Sequence, residues 1–458
     1  MKISYNWLKD YVNVNLPAIE VADLLTHVGL EVENITQYKS AKGELEGLMI
    51  GMVVSLEKHP NADKLSVAKV TVGDATDLQI VCGAANVAAG QKVIVAIEGT
   101  LLHPFEGNPF QIKKSKIRGL DSEGMICAED EIGLSANHSG IIVLPNDAPT
   151  GMWVKDYMAI DSDHIFEIGL TPNRGDAMSH IGVARDLAAS IRAKGDLDVE
   201  LTMPLVHNFS IEERSAKLNV QVENTTACPR FSGVVISGIS VRESPEWISN
   251  KLKSVGLRQI NNIVDVTNFV MLECGQPLHA YDLDEVEGGQ IVIRTMEEGT
   301  TFKTLDEKEV KLRGNDLMVC STAEPLGIAG VFGGMKSGVK ASTTTIFLES
   351  ACWNPKWIRR TSTQHNLKTD AAAHFEKGTD PNGNIYALKR AALLIMELAG
   401  GKISSEIVDI YPEKTEEKII SLTWEKLNRI AGIEISRNVA AEILTSLSFT
   451  VNSFNDQQ

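Results

Sequence analysis

Three polar side chains in the second half of the chain have the chemistry of a recognition or reaction site. Glu349 follows the apolar run 344–348, and an ionised carboxylate accepts strongly from an O–H donor. His279 lies in the stretch QPLHAYD, and a nearly neutral imidazole can accept or donate a proton. Asn268 offers both a donor and an acceptor. The ordinary alternatives are a strand-end carboxylate in a structural hydrogen bond, a loop histidine and a helix-interior or capping asparagine.

A glycine-rich stretch could bring backbone close to a ligand. Gly330-Val-Phe-Gly-Gly334 has this composition, although an ordinary tight turn uses the same residues. The sequence contains no Ser-His-Asp order with a nucleophile-elbow motif, and no serine or cysteine lies in a recognisable activated setting. We therefore expect any hydrolysis here to use water directly, without a covalent enzyme intermediate.

The bulk composition predicts a soluble globular protein of about three or four domains. The chain has 458 residues, of which 43% are hydrophobic and 23% charged. Its formal net charge of −16 is a poor match to a protein that coats nucleic acid through a broad basic face, so any RNA contact should be local. The densest basic run could contact phosphates or form a solvated charged strand, and it contains Lys113, Lys114, Lys116 and Arg118.

The cysteines and the apolar runs exclude several classes of protein. Six scattered cysteines without a CxxC pair argue against a zinc site and against a disulfide framework, and favour a reducing cytoplasm. The N-terminal stretch MKISYNWLKDYV lacks the apolar core of a signal peptide. No apolar run reaches the length that crosses a membrane.

The first half of the chain predicts a small barrel inserted into a helical domain. Pro17 begins an amphipathic pattern that Gly29 can end, and Ser179 can cap a second helix that runs to Lys194. Between them lie short Val- and Ile-rich segments separated by turn residues, which are typical of a barrel. We predict barrel strands at 48–54, 65–72, 78–81 and 92–97.

The second half predicts an α+β region followed by two small helices. A helix should begin after Ser244-Pro245, and a long helix should cover 384–398. Strands are expected at 290–294, 316–320 and 344–348. After a charged linker, Thr423 and Ser436 can cap two helices, and the chain then stops inside the strand-like segment 449–451.

Four stretches together resemble the bacterial phenylalanyl-tRNA synthetase beta subunit, over essentially all 458 residues. Their order and spacing carry the resemblance more than any one of them does. They are KISYNWLKDYV; the group HPNADKLSVAKV, VCGAANV and KIRGLDSEGMICAEDEIGL; LTPNRGDAMSHIGVARDLAA; and the region from DVTNFVMLECGQPLHAYD to LKTDAAAHFEKGTDP.

The resemblance implies a multidomain α+β architecture. It places an oligonucleotide-binding (OB) fold barrel within a helical N-terminal domain, then an α+β editing domain and the start of a small helix-turn-helix-like domain. The implied ranges are 1–40 with 153–200 for the N-terminal α/β domain, 41–152 for the barrel, 210–398 for the editing domain and 402–458 for the incomplete last domain. The family's beta subunit continues with a catalytic-like module without activity and an anticodon-binding domain.

The resemblance also implies roles for single residues. Glu349 takes the position of the family's tyrosine-reading glutamate, while His279 and Asn268 join it as catalytic residues. Whether His279 acts as a base or as a positioning group stays open. Three further residues match positions that line the family's substrate pocket: Gly333, Thr369 and Ala371.

The expected function is part of a phenylalanine–tRNA ligase that binds tRNA(Phe) and hydrolyses mischarged tyrosyl-tRNA. The expected partner is the alpha subunit, in a cytoplasmic heterotetramer of two alpha and two beta chains, with tyrosine as the editing ligand. No cofactor or metal is expected in this chain, because ATP and Mg²⁺ serve aminoacylation on the alpha subunit. The alternatives are a non-catalytic tRNA-binding scaffold subunit and a free-standing tRNA-binding protein.

Overall fold

The chain divides into two compact units. One is made of Met1–Thr36 with His164–Gln458, and the other of Gln37–Asp163. The computed structural model describes residues 1–158, 160–195 and 199–452. The expected domain ranges also include 159, 196–198 and 453–458, which lie outside the described residues.

The first unit begins with two strands and two helices. They are β1 (Lys2–Ser4), α1 (Tyr5–Leu8), α2 (Ala18–His27) and β2 (Glu31–Lys39). The amphipathic pattern after Pro17 is confirmed as α2, whose buried side Val21, Leu24 and Leu25 joins the core of this unit. Ser4 caps α1 by accepting a hydrogen bond from the backbone N–H of Trp7.

The second unit is built on a barrel-like sheet. Its elements are β3 (Leu48–Lys58), β4 (Ser66–Thr71), β5 (Leu78–Cys82), β6 (Lys92–Ile97), β7 (Leu101–Leu102), β8 (Phe110–Gln111), β9 (Ser115–Ile117), β10 (Leu120–Ser122), β11 (Gly124–Ile126), β12 (Val143–Leu144) and α3 (Val154–Tyr157). The strand order is β11-β6-β3-β4-β5, with β12 also on β6. The N–H of Glu123 donates to the carbonyl of Gln79 at 2.8 Å, so the two ends of the sheet nearly meet. The expectation of a small barrel is confirmed at this level.

The central barrel strand β6 is buried on both faces. Val93 and Val95 enter one apolar cluster, while Ile94 and Ala96 enter the other. Successive side chains of a strand point to opposite faces, so this run of aliphatic residues needs cover on both sides. The chain supplies that cover by folding the sheet around one cluster and packing its loops over the second.

The chain returns to the first unit through β13 (Ser162–Gly169) and α4 (His180–Lys194). β13 pairs antiparallel with β1 in a three-stranded sheet of order β1-β13-β2. The predicted α4 is confirmed, because Ser179 accepts from the N–H of Gly182 and Gly195 ends the helix at φ +68°.

Two five-stranded sheets form the rest of the first unit, together with several helices. In chain order the elements are β14 (Asn219–Val222), β15 (Arg230–Ser237), α5 (Glu246–Ser254), α6 (Val264–Cys274), β16 (Leu278–Asp282), β17 (Gln290–Thr295), β18 (Thr301–Lys303), β19 (Glu309–Lys311), β20 (Leu317–Cys320), β21 (Pro325–Ile328), β22 (Phe332–Gly333), β23 (Thr345–Cys352), α7 (Pro355–His365), α8 (Asp370–Lys377), α9 (Asn384–Ala399), β24 (Lys402–Ile403) and β25 (Val408–Ile410). One sheet has the order β14-β17-β20-β21-β22. The other has the order β16-β23-β15-β24, with β25 also on β15.

The second of these sheets lies between helices on one side and the other sheet on the opposite side. Ile346 and Leu348 of β23 point into the core shared with α6 and α9. Phe347 and Ala351 point the other way, into the core shared with the first sheet. Each strand face therefore has its own apolar partner, and a polar side chain on either face must find its hydrogen bonds inside the protein.

The described chain ends with α10 (Trp424–Ala431) and α11 (Arg437–Ser446). The predicted caps are confirmed, since Thr423 and Ser436 each accept from a backbone N–H in the first turn. The expected strand at 449–451 is wrong. The N–H of Phe449 donates to the carbonyl of Leu444 and Ser448 takes φ +70°, so this segment closes the end of α11 instead. None of the described helices is both long and apolar enough to cross a membrane.

Candidate functional site

The register of β16 and β23 places two of the predicted site residues side by side. The strands are antiparallel, and His279 lies opposite Glu349 while Tyr281 lies opposite Phe347. Residues directly opposite each other share a face of the sheet, so all four side chains point toward the other sheet, β14-β17-β20-β21-β22. Glu349 was expected just after the end of its strand. It lies inside β23 instead, because the strand continues to Cys352.

The Glu349 carboxylate is buried and holds one hydrogen bond from the protein. The hydroxyl of Tyr281 donates to Oε2 at 2.8 Å. Among the described residues, Oε1 has no donor, yet it is not sealed from solvent. Burial, which disfavours the ionised form, raises the pKa of Glu349 to about 7, and the bond from Tyr281 acts in the opposite direction.

His279 has a neutral imidazole at physiological pH. Burial lowers its pKa to about 4, because the surroundings cannot solvate an imidazolium. Within the described part of the chain, its Nε2 is enclosed and has no hydrogen-bond partner. Its ring meets the ring of Tyr281 edge to face, with 4.4 Å between the centroids. An enclosed and unpaired ring nitrogen is a site where a bound molecule could supply the missing partner.

Gly333 presents its backbone to the His279 ring. It lies in β22, and a Cβ atom added there would come 2.9 Å from Cε1 of His279. That distance is shorter than side-chain contacts allow, so a glycine is needed if the imidazole is to keep its position. The structure therefore brings Gly333, His279 and Glu349 together at one place on the sheet.

Thr369 and Ala371 belong to the start of α8. Thr369 caps this helix by accepting from the N–H of Ala372 at 3.1 Å, and its hydroxyl donates to the carbonyl of Val331 at 3.0 Å. Val331 precedes Gly333 by two residues, so the cap ties the helix to the glycine-rich stretch. Ala371 is partly buried and packs against the core between the two sheets.

Asn268 lies on a helix and not on the paired strands. It lies inside α6, whose residues Val266, Phe269 and Val270 pack into the core on the opposite face of the sheet from His279. Across the described residues, no hydrogen bond links its amide to His279 or Glu349. The ordinary alternative, an asparagine in a helix interior, describes its place, and its role in the site stays a prediction.

Tyr281 is the residue that the sequence reasoning missed. It stands two positions after His279 in the same strand, so strand alternation alone places it on the same face. That signal was present in the stretch QPLHAYD. Its bond to Glu349 could not be derived locally, because it depends on the pairing of two strands that are far apart in the chain.

The pocket has no set of ligands for a metal ion. In residues 1–158, 160–195 and 199–452, no three His, Cys, Asp or Glu side chains come together in a group that could hold one.

Comparison with known proteins decides the family. Residues 227–400 match the family model described as "B3/4 domain", and residues 48–153 match the one described as "Putative tRNA binding domain". The phenylalanine–tRNA ligase beta subunit of Bacteroides fragilis is 50% identical over 452 residues, which is 98% of this chain and 55% of that protein. The beta subunit of Porphyromonas gingivalis is 49% identical over 457 residues, or 100% of this chain and 55% of that one.

The chain belongs to the phenylalanine–tRNA ligase beta-subunit family. It spans about 55% of the length of the curated relatives it matches. Among solved structures, an N-terminal fragment of the phenylalanyl-tRNA synthetase beta subunit from Pyrococcus horikoshii aligns with 62% of this chain and 77% of that one. The TM-score is 0.30 and the sequence identity 16%. The site at His279, Gly333 and Glu349 lies within the stretch that matches the B3/4 domain model.

Proposed function

We propose that this chain is the tRNA-binding and proofreading part of a phenylalanine–tRNA ligase beta subunit. In this proposal the pocket at His279 and Glu349 hydrolyses tyrosine that has been esterified to tRNA(Phe). One observation supports it above the others: the two side chains face each other across β16 and β23, and neither Oε1 of Glu349 nor Nε2 of His279 has a partner among the described residues.

Recognition depends on the hydroxyl by which tyrosine differs from phenylalanine. In the proposal, Oε1 of Glu349 accepts the phenol O–H of the ligand, which is a charge-assisted hydrogen bond above the pKa of the carboxyl. Phenylalanine would give this oxygen no donor in place of the water it displaces, and so would bind less tightly. Phenylalanyl-tRNA, the correct product, is therefore hydrolysed less than tyrosyl-tRNA.

Hydrolysis requires a positioned water. Its oxygen attacks the ester carbonyl, the bond to the terminal ribose oxygen breaks, and a water proton passes to that oxygen, leaving tyrosine and uncharged tRNA. An imidazole with a pKa of about 4 is a weak base at neutral pH, so we assign His279 the positioning of the water rather than full proton abstraction. Gly333 lets the backbone of β22 lie against the ring, and Thr369 holds α8 to the glycine-rich stretch through the carbonyl of Val331. In the proposal, Thr369 and Ala371 form the adjoining wall of the site.

The domain and partner assignments in this proposal come from the family resemblance. We propose that the barrel region, around 41–152, contacts tRNA(Phe), that 210–398 is the editing domain, and that 1–40 with 153–200 and 402–458 form the remaining domains. The chain would act in the cytoplasm, in a heterotetramer of two alpha and two beta subunits. The alpha subunit would hold ATP and Mg²⁺.

The decisive test is single-turnover deacylation, with the chain in excess over Tyr-tRNA(Phe) or Phe-tRNA(Phe). The wild-type chain should hydrolyse the tyrosyl ester in preference. Glu349→Ala should weaken apparent binding of the tyrosyl substrate by roughly 10- to 100-fold, which is the loss of one hydrogen bond to a charged group. His279→Ala should lower the maximal rate instead. Glu298→Ala, which removes an exposed carboxylate elsewhere in the unit, serves as the matched control.

A non-catalytic scaffold is the second candidate. The observation that favours it is the Tyr281 hydroxyl on Glu349, since a buried carboxylate can be a purely structural partner. This candidate predicts that the wild-type chain deacylates neither ester while still binding tRNA(Phe). The same assay therefore decides between the two.

A further inference from the structure

We propose that Tyr281 is a positioning residue for recognition: its hydroxyl holds one oxygen of Glu349 so that the other faces the phenol of the ligand. This inference rests on the proposed function. It adds a residue that neither the family resemblance nor the sequence motifs select.

Tyr281 is held from both sides. Its ring lies edge to face on His279, at 4.4 Å between centroids, and stacks on Phe347 at 6.4 Å. Because Tyr281 pairs with Phe347 in the strand register, its hydroxyl reaches along the strand to Glu349, two residues further, and donates at 2.8 Å. A phenol with its ring fixed in this way allows few positions for the carboxylate that accepts from it.

The strand β15, beside Glu349, presents a glycine to it. Gly233 of β15 lies opposite Glu349, so the neighbouring strand adds no side chain there. A Cβ atom at Gly233 would come 2.2 Å from Cζ of Phe347, and the glycine is therefore required by packing. Nε2 of His279 is fully enclosed, whereas Oε1 of Glu349 is not among the enclosed, unpartnered atoms of the described residues. The two atoms differ in access, and Oε1 is the one that an incoming hydroxyl can meet.

The same hydrogen bond favours the ionised carboxylate. Burial raises the pKa of Glu349, and the Tyr281 hydroxyl lowers it, with about 7 as the result. The titratable groups around it stay neutral near that pH. Burial lowers the pKa of His279 to about 4, while burial and the Glu349 charge raise those of Tyr281 and Cys228 well above their ordinary values. Burial also raises the pKa of Cys320, the neighbour of Tyr281 on β20. Glu349 is thus the member of this group that changes charge near neutral pH.

Tyr281→Phe tests the inference, because it removes one oxygen and keeps the ring. For Tyr-tRNA(Phe), the pH midpoint of kcat/KM should move up by about one unit, which lowers kcat/KM roughly fivefold at pH 7 and roughly tenfold at lower pH, and comes from the loss of one hydrogen bond. The effect should lie in KM, with kcat unchanged, and it should largely disappear above the new midpoint. Tyr386→Phe, which removes a hydroxyl bonded to the carbonyl of Pro204 in the same unit, should leave the midpoint in place.

Two outcomes would overturn the inference. A lower KM in Tyr281→Phe would mean that the internal phenol competes with the ligand. A lower melting temperature with an unchanged midpoint would reduce Tyr281 to a packing residue.

A substrate-free measurement separates this inference from the proposed function. Difference infrared spectra against Glu349→Gln report protonation of the Glu349 carboxyl directly. Suppose that Tyr281→Phe raises that midpoint but neither wild type nor variant hydrolyses Tyr-tRNA(Phe). The proposed function then fails, although the hydrogen bond from Tyr281 to Glu349 is supported. The role of Tyr281 in recognising the substrate is overturned in that case. If the infrared midpoint of the Glu349 carboxyl is the same in Tyr281→Phe as in wild type, the inference is overturned, whatever the deacylation assay shows.

Discussion

At the scale of single residues, Glu349 and His279 titrate in the reverse of their usual order. The carboxyl has a pKa of about 7 and the imidazole one of about 4, and burial causes both shifts. Between these values both side chains are neutral. Above about 7 the pocket gains one negative charge, so its ability to accept a hydrogen bond increases within the physiological pH range.

This raised pKa has a consequence for stability that Glu349→Gln isolates. The folded state holds the Glu349 proton more tightly than the unfolded chain does, so ionisation destabilises the wild-type fold as pH rises from about 4.5 through about 7. The amide of the variant can still accept from Tyr281 but does not ionise. The free energy of unfolding of the variant should therefore increase relative to wild type across this interval, by up to about 3 kcal/mol.

Urea denaturation at a series of pH values measures that difference. His279, whose pKa is lowered in the folded state, contributes to the pH dependence of stability in the opposite direction. This contribution is present in both wild type and Glu349→Gln, so it cancels in the difference. Glu298→Gln, at an exposed position, should follow wild type throughout. A difference between Glu349→Gln and wild type that stays constant with pH would show that the carboxyl titrates normally.

The sequence could select some of these residues but not their bonds. The family motifs pointed to His279, Glu349 and Gly333, and the structure places them together, although their roles stay predictions. The hydrogen bond from Tyr281 to Glu349 could not be predicted from the sequence, because it depends on the register between β16 and β23. Shifting that register by one residue would turn Glu349 to the opposite face, and no local pattern reveals which register is used.

At the scale of elements, local signals were predicted well and non-local ones poorly. Helix caps are local, and the expected caps Ser179, Thr423 and Ser436 are all confirmed. Strand ends and helix orientation depend on partners elsewhere in the chain. For that reason β23 continues past Glu349, and Asn268 lies on a helix that covers the other face of the sheet.

Thr369 connects an element to the site, and its removal should be measurable at both levels. Thr369→Ala loses the cap of α8 and the bond to the carbonyl of Val331, so the free energy of unfolding should fall by about 1–2 kcal/mol. Because Val331 lies close to Gly333, deacylation should fall as well. Chemical denaturation and the deacylation assay measure the two effects.

Thr369→Ser is the matched control, since a serine hydroxyl can make both bonds. It should recover most of the stability and the activity. If serine restores stability while activity stays low, the methyl group of Thr369 contacts the ligand, and the hydroxyl only supports the helix.

At the scale of the whole molecule, 60 acidic and 44 basic residues give a net charge of −16. Such a chain repels RNA at long range, so the proposed contact with tRNA requires a local concentration of positive charge. In the basic run of the barrel, Lys114 already pairs with Glu123 at 2.7 Å. Lys116 lies opposite Asp121 in the pairing of β9 with β10. Arg118 is exposed at the turn of that hairpin and has no ion-pair partner among the described residues.

Arg118→Asn should therefore change the salt dependence of tRNA binding. Arg118 has φ +49° and is followed by Gly119 at φ +99°, and asparagine tolerates this turn conformation better than arginine does. The substitution removes a charge without disturbing the hairpin. If Arg118 contacts a phosphate, the slope of log K against log salt concentration should become shallower by about 0.7–0.9.

Two comparisons make this slope informative. Lys114→Ala should change it less, because Glu123 already compensates that charge in the free protein. Glu298→Gln lowers the general repulsion without touching the barrel, and salt screens that effect beyond about 10 Å. It should therefore change affinity slightly at low salt and have little effect at physiological salt. If Arg118→Asn behaves like Glu298→Gln, this hairpin does not touch the tRNA backbone. The barrel would then have to bind RNA through neutral donors, or through another face, against the charge of the whole chain.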